Sequence, residues 1–193
     1  MISFIEGTIE YLGDKFLILN AGGIGYKVTV SPKLLNILSK TSSPVKMHIH
    51  SQLNMREGTF DMYGFQNKED LELFHLVTSV NGIGPKSAIG ILSTIEPKHL
   101  KAAVMNEDAD YLKKVSGLGP KTAQRLILEL KNKIDYLDVG DMKGVDLGQE
   151  GHATEALLAL GYSPSQAKDA LKDAKGKTLQ ERVREALRLL GKK

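Results

Sequence analysis

One thirteen-residue pattern occurs twice in this sequence, at residues 80–92 and again at residues 115–127. The first copy reads VNGIGPKSAIGIL and the second reads VSGLGPKTAQRLI. A repeat at a fixed spacing indicates a duplicated structural unit. In each copy a Gly-x-Gly turn precedes a proline, a lysine and a helical pattern, so the sequence predicts helix, tight turn and helix, twice over.

Each predicted turn has the chemistry of a phosphate-binding site. Its glycines can adopt positive φ and leave room for a ligand near the backbone. Pro85 and Pro120 favour the first position of a helix, where free amides and the helix dipole attract anions. Lys86 and Lys121 add a positive charge beside these amides. The candidate DNA contacts are Gly82, Gly84, Lys86, Ser87, Gly117, Gly119, Lys121, Thr122 and Arg125.

The alternative for these turns is that they only connect helices. The duplication of the Pro, Lys and Ser/Thr positions favours phosphate binding over that alternative. Contacts of this kind position a protein on the DNA backbone without reading base sequence, and binding through them weakens steeply with salt.

Composition limits the chemistry further. The 193 residues carry a net charge of +3 and no cysteine, which excludes disulfides, thiolate metal sites and cysteine nucleophiles. The Gly-x4-Gly-Lys-Ser/Thr motif of ATPases is absent, and His48 with His50 alone does not make a metal site. We expect no metal, no cofactor and no ATPase activity. The N-terminus lacks signal-peptide features, and no apolar run reaches membrane-spanning length, so we expect a cytoplasmic protein.

The sequence divides into four segments that differ in composition and hydrophobic pattern, and together they predict a multi-domain α+β protein. Residues 1–64 contain five short strand patterns typical of an OB-fold barrel, with an SH3-like barrel as the alternative. Residues 65–135 hold the tandem helix-hairpin-helix. Residues 136–150, rich in Gly and Asp, predict a flexible acidic linker. Residues 151–193 predict a three-helix bundle whose first helix begins at Ala153.

Four aromatic residues in the predicted barrel have two possible roles. If they follow the apolar alternation along the strands, they belong to the barrel core. If their rings are exposed, they would be stacking platforms for single-stranded nucleic acid. The core interpretation is the stronger one from sequence. The residues concerned are Phe4, Tyr11, Phe16 and Tyr26.

The order of these parts resembles the RuvA family, the Holliday-junction-binding subunit of the bacterial RuvAB branch-migration complex. The resemblance covers the whole chain and is carried by GGIGYKV at residues 22–28, MYGF at residues 62–65, both hairpins, and LLALGY at residues 157–162. It implies an N-terminal OB-fold, a tandem helix-hairpin-helix domain, and a mobile C-terminal three-helix module that is UBA-like.

The resemblance also implies a function in DNA recombination and repair. The family binds four-way junctions, holds them open and square-planar, and recruits RuvB, a hexameric AAA+ ATPase that drives branch migration. It implies a homotetramer, with an octamer as a further possibility, and RuvC resolvase as a further partner. The family itself is not an enzyme, since the ATPase activity belongs to the motor.

Several further site residues follow only from the resemblance. Glu57 matches the first acid of an acidic pin at the junction centre, whereas Gly58 stands where a second acid is usual. Arg56 matches a DNA contact near the pin. A few C-terminal residues are candidates for motor binding, although most of them also suit the core of the small bundle. They are Leu157, Leu160, Tyr162 and Leu171.

Two other functions remain open from sequence alone. The first is a helix-hairpin-helix DNA repair enzyme of the glycosylase/lyase type, in which Lys86 would attack the sugar and Asp108 or Asp110 would assist. The second is a protein-interaction adaptor with no role on DNA. A lyase would be trapped on abasic DNA by borohydride, and an adaptor would not bind junctions.

Overall fold

The computed structural model describes residues 1–41, 44–55, 58–134, 147–176 and 178–191. The chain forms two compact units. The first comprises Met1–His75 with Pro85–Ile89, and the second comprises Leu76–Gly84 with Gly90–Lys193.

The first unit contains a closed five-stranded barrel with the strand order β1-β2-β3-β5-β4. A parallel pair between Thr29 and Tyr63 joins β3 to β5, and the other strand pairs are antiparallel. Helix α1 lies between β3 and β4 in the chain, which is the order of an OB-fold and confirms that prediction. The strands are β1 Phe4–Leu12, β2 Phe16–Ala21, β3 Ile24–Thr29, β4 Val45–Asn54 and β5 Thr59–Phe65.

Alternation along the strands fills the barrel interior. Leu17, Leu19 and Val28 are fully buried, and Met47 and Ile49 almost so. Helix α1, Pro32–Leu38, packs its buried leucines into the same core. Ser31 caps this helix, because its Oγ accepts a hydrogen bond from the Leu34 amide at 3.2 Å.

The aromatic residues of the barrel do not all follow the core prediction. Tyr26 packs against the core, as expected, and Phe16 is half-buried. Phe4 and Tyr11, however, are 56% and 55% exposed. A bulge between Ile9 and Tyr11 shifts the strand register, so Tyr11 changes from the inner to the outer face.

A histidine pair within the first unit joins β4 to helix α2, Lys68–Thr78. His50 Nδ1 lies 3.1 Å from His75 Nε2, so the two imidazole rings are direct neighbours. Burial lowers the pKa of His75, and the neighbouring His50 lowers it further. Among the described residues there is no group of three or more potential metal ligands.

The remaining helices follow the hairpin pattern and then the C-terminal module. Their bounds are α3 Pro85–Thr94, α4 Pro97–Met105, α5 Ala109–Ser116, α6 Pro120–Leu130, α7 Leu147–Ala159, α8 Pro164–Asp173 and α9 Leu179–Leu190. In the hairpin region the fully buried large residues include Leu100, Leu112, Leu126, Leu130 and Ile134. No helix in the described ranges is long and apolar enough to cross a bilayer.

Helix α7 begins at Leu147 rather than at Ala153, so residues 147–150 of the predicted linker are helical. Tertiary contacts within the second unit explain the difference. Glu150 pairs with His99 at 2.8 Å, Glu155 pairs with Lys114 at 3.1 Å, and α7 packs on α5. Hydrophobic periodicity does not indicate such polar contacts, so it could not predict the earlier start of α7. Residues 136–146 of the predicted linker lie outside the described residues.

The C-terminal helices form a bundle with its own small core, in agreement with the predicted three-helix module. The core is built on Ala153, Leu157, Ala167, Leu171 and Ala186. Capping boxes fix the starts of α8 and α9: Ser163 exchanges hydrogen bonds with Gln166, and Thr178 does so with Glu181.

Candidate nucleic-acid interface

The first hairpin is a tight turn that opens α3. Gly82 has φ +90°, in the region that L side chains rarely adopt. Gly84 is extended, with φ −84° and ψ 170°, and precedes Pro85 at the start of the helix. Ile83, between the two glycines, is buried and donates its amide to the Val80 carbonyl at 3.1 Å. Ile83 therefore anchors the turn in the core, and the two glycines of the turn remain at the surface.

The second hairpin repeats this backbone at the start of α6. Gly117 has φ +69° and ends α5, with its amide bonded to the Lys113 carbonyl at 3.1 Å. Gly119 is extended, with φ −65° and ψ 153°, and Pro120 follows it as the first helical residue. Two turns 35 residues apart therefore have the same sequence of backbone conformations.

The two glycines of each turn have different roles, which the sequence did not separate. Only Gly82 and Gly117 adopt the positive φ that the sequence allows at all four glycines, whereas Gly84 and Gly119 are extended. A Cβ built on Gly84 or Gly119 meets nothing within 4 Å. The second glycine of each pair thus leaves open space in front of the helix.

Both helices that follow the turns have free N-terminal amides. No side chain caps α3 or α6 at Gly84 or Gly119, so their first amides remain available to an anion. Lys86 and Lys121 are exposed, and none of the ion pairs among the described residues involves either ammonium group. Ser87 is exposed and Thr122 is half-buried.

Arg125 has a structural contact that sequence reasoning missed. Its Nη1 donates to the Asn81 carbonyl at 3.3 Å. Glu129, one turn further along α6, accepts a hydrogen bond from the Asn81 amide at 3.3 Å. Helix α6 therefore holds the loop of the first hairpin through two side chains. Arg125 is exposed, and a guanidinium has five N–H donors, so this bond leaves others for a phosphate.

The pin residues Arg56 and Glu57 lie outside the described residues. The flanking strands pair as far as Asn54 and Thr59, and Gly58 has φ +63°. Asp61, further along β5, accepts a hydrogen bond from the Thr59 hydroxyl at 3.2 Å. Asp61 therefore has a local role within its strand.

The candidate motor contacts divide by burial. Leu157 and Leu171 are buried in the core of the C-terminal bundle, so a partner protein cannot reach them. Leu160 is 60% exposed, and Tyr162 is half-buried against the core. Only Leu160 and Tyr162 remain accessible as direct contacts.

The aspartates that a lyase would need are used elsewhere. The Asp108 carboxylate accepts the Tyr111 amide at 2.8 Å and caps α5, and Asp110 pairs with Lys113 at 3.1 Å. Both contacts are ordinary first-turn interactions of a helix, which weakens the argument for the enzyme.

A buried polar cluster lies where α7 meets α4 and α5. His99 is 7% exposed, and its Nε2 lies 2.8 Å from a carboxylate oxygen of Glu150. The Tyr111 hydroxyl and His99 Nδ1 have no hydrogen-bond partner among the described residues. Burial raises the pKa of Tyr111, and the carboxylates of Glu150, Glu96 and Asp108 raise it further.

Comparison with known families agrees with this order of parts. A model described as RuvA N terminal domain matches residues 1–64, and one described as RuvA, C-terminal domain matches residues 151–191. Between them, a SAM-like Helix-hairpin-helix tandem matches residues 74–132. A relative from Caldanaerobacter subterraneus subsp. tengcongensis is 39% identical over 192 residues, covering 100% of both chains.

The chain belongs to the RuvA family. The Caldanaerobacter protein is named Holliday junction branch migration complex subunit RuvA. RuvA proteins of the same name from Thermoanaerobacter sp. and Acetivibrio thermocellus are 38% and 37% identical, covering 100% and 89% of this chain and 100% and 88% of their own lengths. The RuvA resemblance identified from the hairpins and the barrel is therefore confirmed.

Proposed function

We propose that this chain binds four-way DNA junctions by their backbone, holds them open and square-planar, and delivers them to a RuvB-type motor for branch migration. The named function of its RuvA relatives supports this proposal. In it, residues 1–64 and 65–135 form the DNA-binding body, residues 136–150 the connection, and residues 151–193 the module that meets the motor.

The observation that carries the proposal is the pair of uncapped helix starts, each behind a Gly-x-Gly turn and beside an exposed lysine. A helix start of this kind binds an anion through backbone amides, and the lysine adds a charge-assisted contact. Two such sites in one chain suit a ligand with phosphates at regular intervals. Because contacts to phosphates carry no information about base sequence, recognition through these sites depends on the geometry of the DNA.

The proposal is tested by reversing the two lysine charges. In Lys86→Glu/Lys121→Glu, each site exchanges a phosphate contact for a repulsion. Charge-assisted hydrogen bonds contribute about 1.5–3 kcal/mol each, so the dissociation constant for a synthetic four-way junction should rise by more than about 100-fold. Fluorescence anisotropy with a labelled junction at fixed salt measures the change.

A matched control separates placed contacts from overall charge. Lys68→Glu/Lys175→Glu changes the net charge by the same amount on exposed lysines outside the hairpins. Its junction affinity should fall by less than about tenfold, since it loses one exposed ion pair, Lys68 with Glu72, and otherwise alters only long-range electrostatics. Equal losses in the two double variants, or an unchanged affinity in the hairpin variant, would contradict the proposal.

The proposed assembly is a homotetramer, in which each arm of the junction meets the same surface of one subunit. The Glu57 carboxylates of the four subunits would then lie together at the crossover, and Arg56 would contact DNA beside them. Light scattering in the presence and absence of junction DNA measures the assembly. A monomeric complex would contradict it.

Motor recruitment is best tested with a point variant. Deleting the C-terminal module would also expose Tyr111 and His99, on which α7 packs, and the result would be ambiguous. Leu160→Glu leaves the bundle core intact and should abolish stimulation of the RuvB ATPase while junction affinity stays unchanged. Met105→Glu, at a 54% exposed position on α4, is the matched control and should retain stimulation.

The proposal makes the chain a non-catalytic subunit, and the glycosylase/lyase alternative gives a direct contrast. Borohydride treatment of the protein on abasic-site DNA would produce a covalent adduct through Lys86 if the chain were a lyase. We expect no adduct, and junction affinity unchanged by an abasic site in one arm. A third function, that of an adaptor without a DNA role, predicts no junction binding, so salt-dependent binding in the same anisotropy assay would exclude it.

A further inference from the structure

The outer surface of the barrel carries a row of side chains that the hairpin mechanism does not use. Tyr11 on β1 lies opposite Ile18 on β2, and Ile18 lies opposite Lys27 on β3. Phe16 points to the same face as Ile18, two residues further along β2. We call Tyr11, Phe16, Ile18 and Lys27 the outer-face cluster.

The geometry of the outer-face cluster is ordered. The Tyr11 and Phe16 ring centroids are 5.9 Å apart, with the planes tilted by 35°. The Lys27 ammonium lies 4.4 Å from the centroid of the Phe16 ring, within the range of a cation–π interaction. An aromatic pair with a cation beside it therefore stands on the surface of three adjacent strands.

The turn between β1 and β2 is shaped to hold the Phe16 ring. A Cβ on Gly13 would lie 2.5 Å from the ring atom Cε1, so only glycine lets the ring lie over the turn. The Gly13 amide also donates to the Phe16 carbonyl at 2.8 Å. Phe16 thereby supports Tyr11, which remains 55% exposed.

The barrel does not need these rings for its own interior. Leu17, Leu19 and Val28 alternate with the cluster along the same strands and are fully buried. The interior row of β2 and β3 is thus complete without the outer-face cluster. The Tyr11 ring, supported by Phe16 and exposed over more than half of its surface, is therefore available to a ligand.

We propose that the outer-face cluster is a stacking platform for unpaired bases of single-stranded nucleic acid, with Tyr11 as the stacking ring and Lys27 beside the phosphate of the stacked nucleotide. OB-folds bind oligonucleotides on the face of their second and third strands and the adjoining loops. The cluster occupies that face. This activity lies beyond the proposed junction binding, which uses the hairpins.

The charges around the cluster favour a single strand over a duplex. Lys15 and Lys27 are balanced by Glu10 and Asp14, and Glu10 accepts a hydrogen bond from Asn20 at 3.4 Å. A face without net positive charge attracts the phosphates of a duplex weakly. Unpaired bases offer their own flat surfaces for stacking, which needs no such charge.

The size of the cluster argues against a second copy of the chain as the occupant. A stable protein interface takes about 800 Å² from each partner, whereas one aromatic side chain buries about 150–250 Å². Two rings, one of them half-buried, reach less than half of that area. One or two stacked bases match it better.

The test uses a fluorescein-labelled hexathymidylate, which is too short to fold and has no junction. It is titrated in the Lys86→Glu/Lys121→Glu background, so that the hairpins contribute no phosphate contact. Stacking of one base on an aromatic ring corresponds to roughly a five- to hundredfold change in affinity. Tyr11→Leu should weaken binding by that factor, whereas Tyr11→Phe should retain binding to within about threefold.

The barrel itself supplies a matched control. Phe4 is 56% exposed, and the Lys46 ammonium lies 4.6 Å from its ring centroid, but it lies on the side of β1 that pairs with β4. Phe4→Leu should leave oligonucleotide affinity unchanged. Far-ultraviolet circular dichroism and light scattering on every variant check the fold and the assembly state.

Three outcomes would overturn the inference: no hexathymidylate binding by the hairpin variant, equal affinity for Tyr11→Leu, or equal losses for Phe4→Leu and Tyr11→Leu. A change of assembly mass in Tyr11→Leu would also overturn it, in favour of an interface between copies. Junction binding by the unaltered chain is measured in parallel, so a failure of the stacking platform leaves the proposed function intact, and the reverse holds equally.

Discussion

The two hairpins share a backbone but differ in what holds that backbone in place. The second turn is closed locally, because the Gly117 amide bonds to the last turn of α5. The first turn is also held by a helix of the second copy, since Arg125 and Glu129 of α6 form hydrogen bonds with the backbone carbonyl and the backbone amide of Asn81. At the equivalent positions of α3, 35 residues earlier, the chain has Gly90 and Thr94.

This difference shows how a duplicated element can keep its ligand chemistry while its supports diverge. Both turns retain the glycines, the proline and the lysine, which are the proposed contacts to the ligand. The side chains one and two turns into each helix differ between the copies. In α6 they are Arg125 and Glu129, which stabilise the loop of the first hairpin. Binding variants should therefore act alike in both hairpins, whereas variants of the supports should act on the first alone.

Among single substitutions in the hairpins, the largest effect is expected from Gly84→Ala and Gly119→Ala. Both residues have φ values that alanine adopts freely, so the free energy of unfolding should change by less than about 0.5 kcal/mol. The new methyl group stands in the space that a phosphate would occupy. Junction affinity should fall about tenfold or more for each variant, as measured by anisotropy beside thermal unfolding.

A loss in only one of these two variants would break the equivalence of the hairpins. A loss of stability that parallels the loss of affinity would assign the second glycine a folding role. Ser93→Ala, on the third turn of α3, serves as a reference substitution outside both turns.

The next effect concerns the first glycine of each turn. Gly82→Ala and Gly117→Ala force a methyl group into left-handed backbone, which costs about 1–2 kcal/mol of stability. Neither added Cβ meets an atom closer than 3.8 Å, so the penalty is conformational and should be equal in the two copies. Chemical denaturation measures it. A cost below about 0.3 kcal/mol in either variant would show that the turn relaxes.

Arg125→Ala should separate the two hairpins. Removing its bond to Asn81 lowers stability by about 1 kcal/mol and should speed amide hydrogen exchange at residues 81–83, while residues 116–118 stay unchanged. Gln124→Ala, its exposed neighbour on α6, is the control. Equal exchange in both loops would contradict the one-sided support.

The smallest effect is expected at Gly90. A Cβ there meets nothing within 4 Å, and glycine inside a helix costs about 0.5–1 kcal/mol relative to alanine. Gly90→Ala should raise the free energy of unfolding by that amount without changing junction affinity. A destabilised variant would indicate that α3 needs its glycine for close packing.

Sequence reasoning predicted those parts of the molecule that depend on local rules. The repeat, the prolines at the helix starts and the strand alternation gave the barrel, the hairpins and the bundle close to their observed bounds. It also gave the candidate contacts Lys86 and Lys121, because phosphate binding at a helix start needs only neighbouring residues. The position of Tyr26 against the barrel core followed from strand alternation in the same way.

Other features depend on contacts that no local pattern shows. Tyr11 changes face because of a bulge, and strict alternation cannot reveal a bulge. Helix α7 begins early because Glu150 meets His99, about 50 residues away in the sequence. Arg125 was expected to face a phosphate, and its bond to Asn81 depends on how the two repeats pack. Leu157 and Leu171 belong to the bundle core, which limits the accessible motor contacts to Leu160 and Tyr162.

The most direct test of junction recognition is a competition experiment. A labelled synthetic four-way junction bound to the intact protein is challenged with excess linear duplex of the same base composition, at fixed salt. If the protein recognises crossover geometry through its paired hairpins, the junction complex survives a 100-fold excess of duplex, and unlabelled junction displaces it. If linear duplex displaces the junction as efficiently as unlabelled junction does, the hairpins are general backbone contacts and the proposed function is wrong.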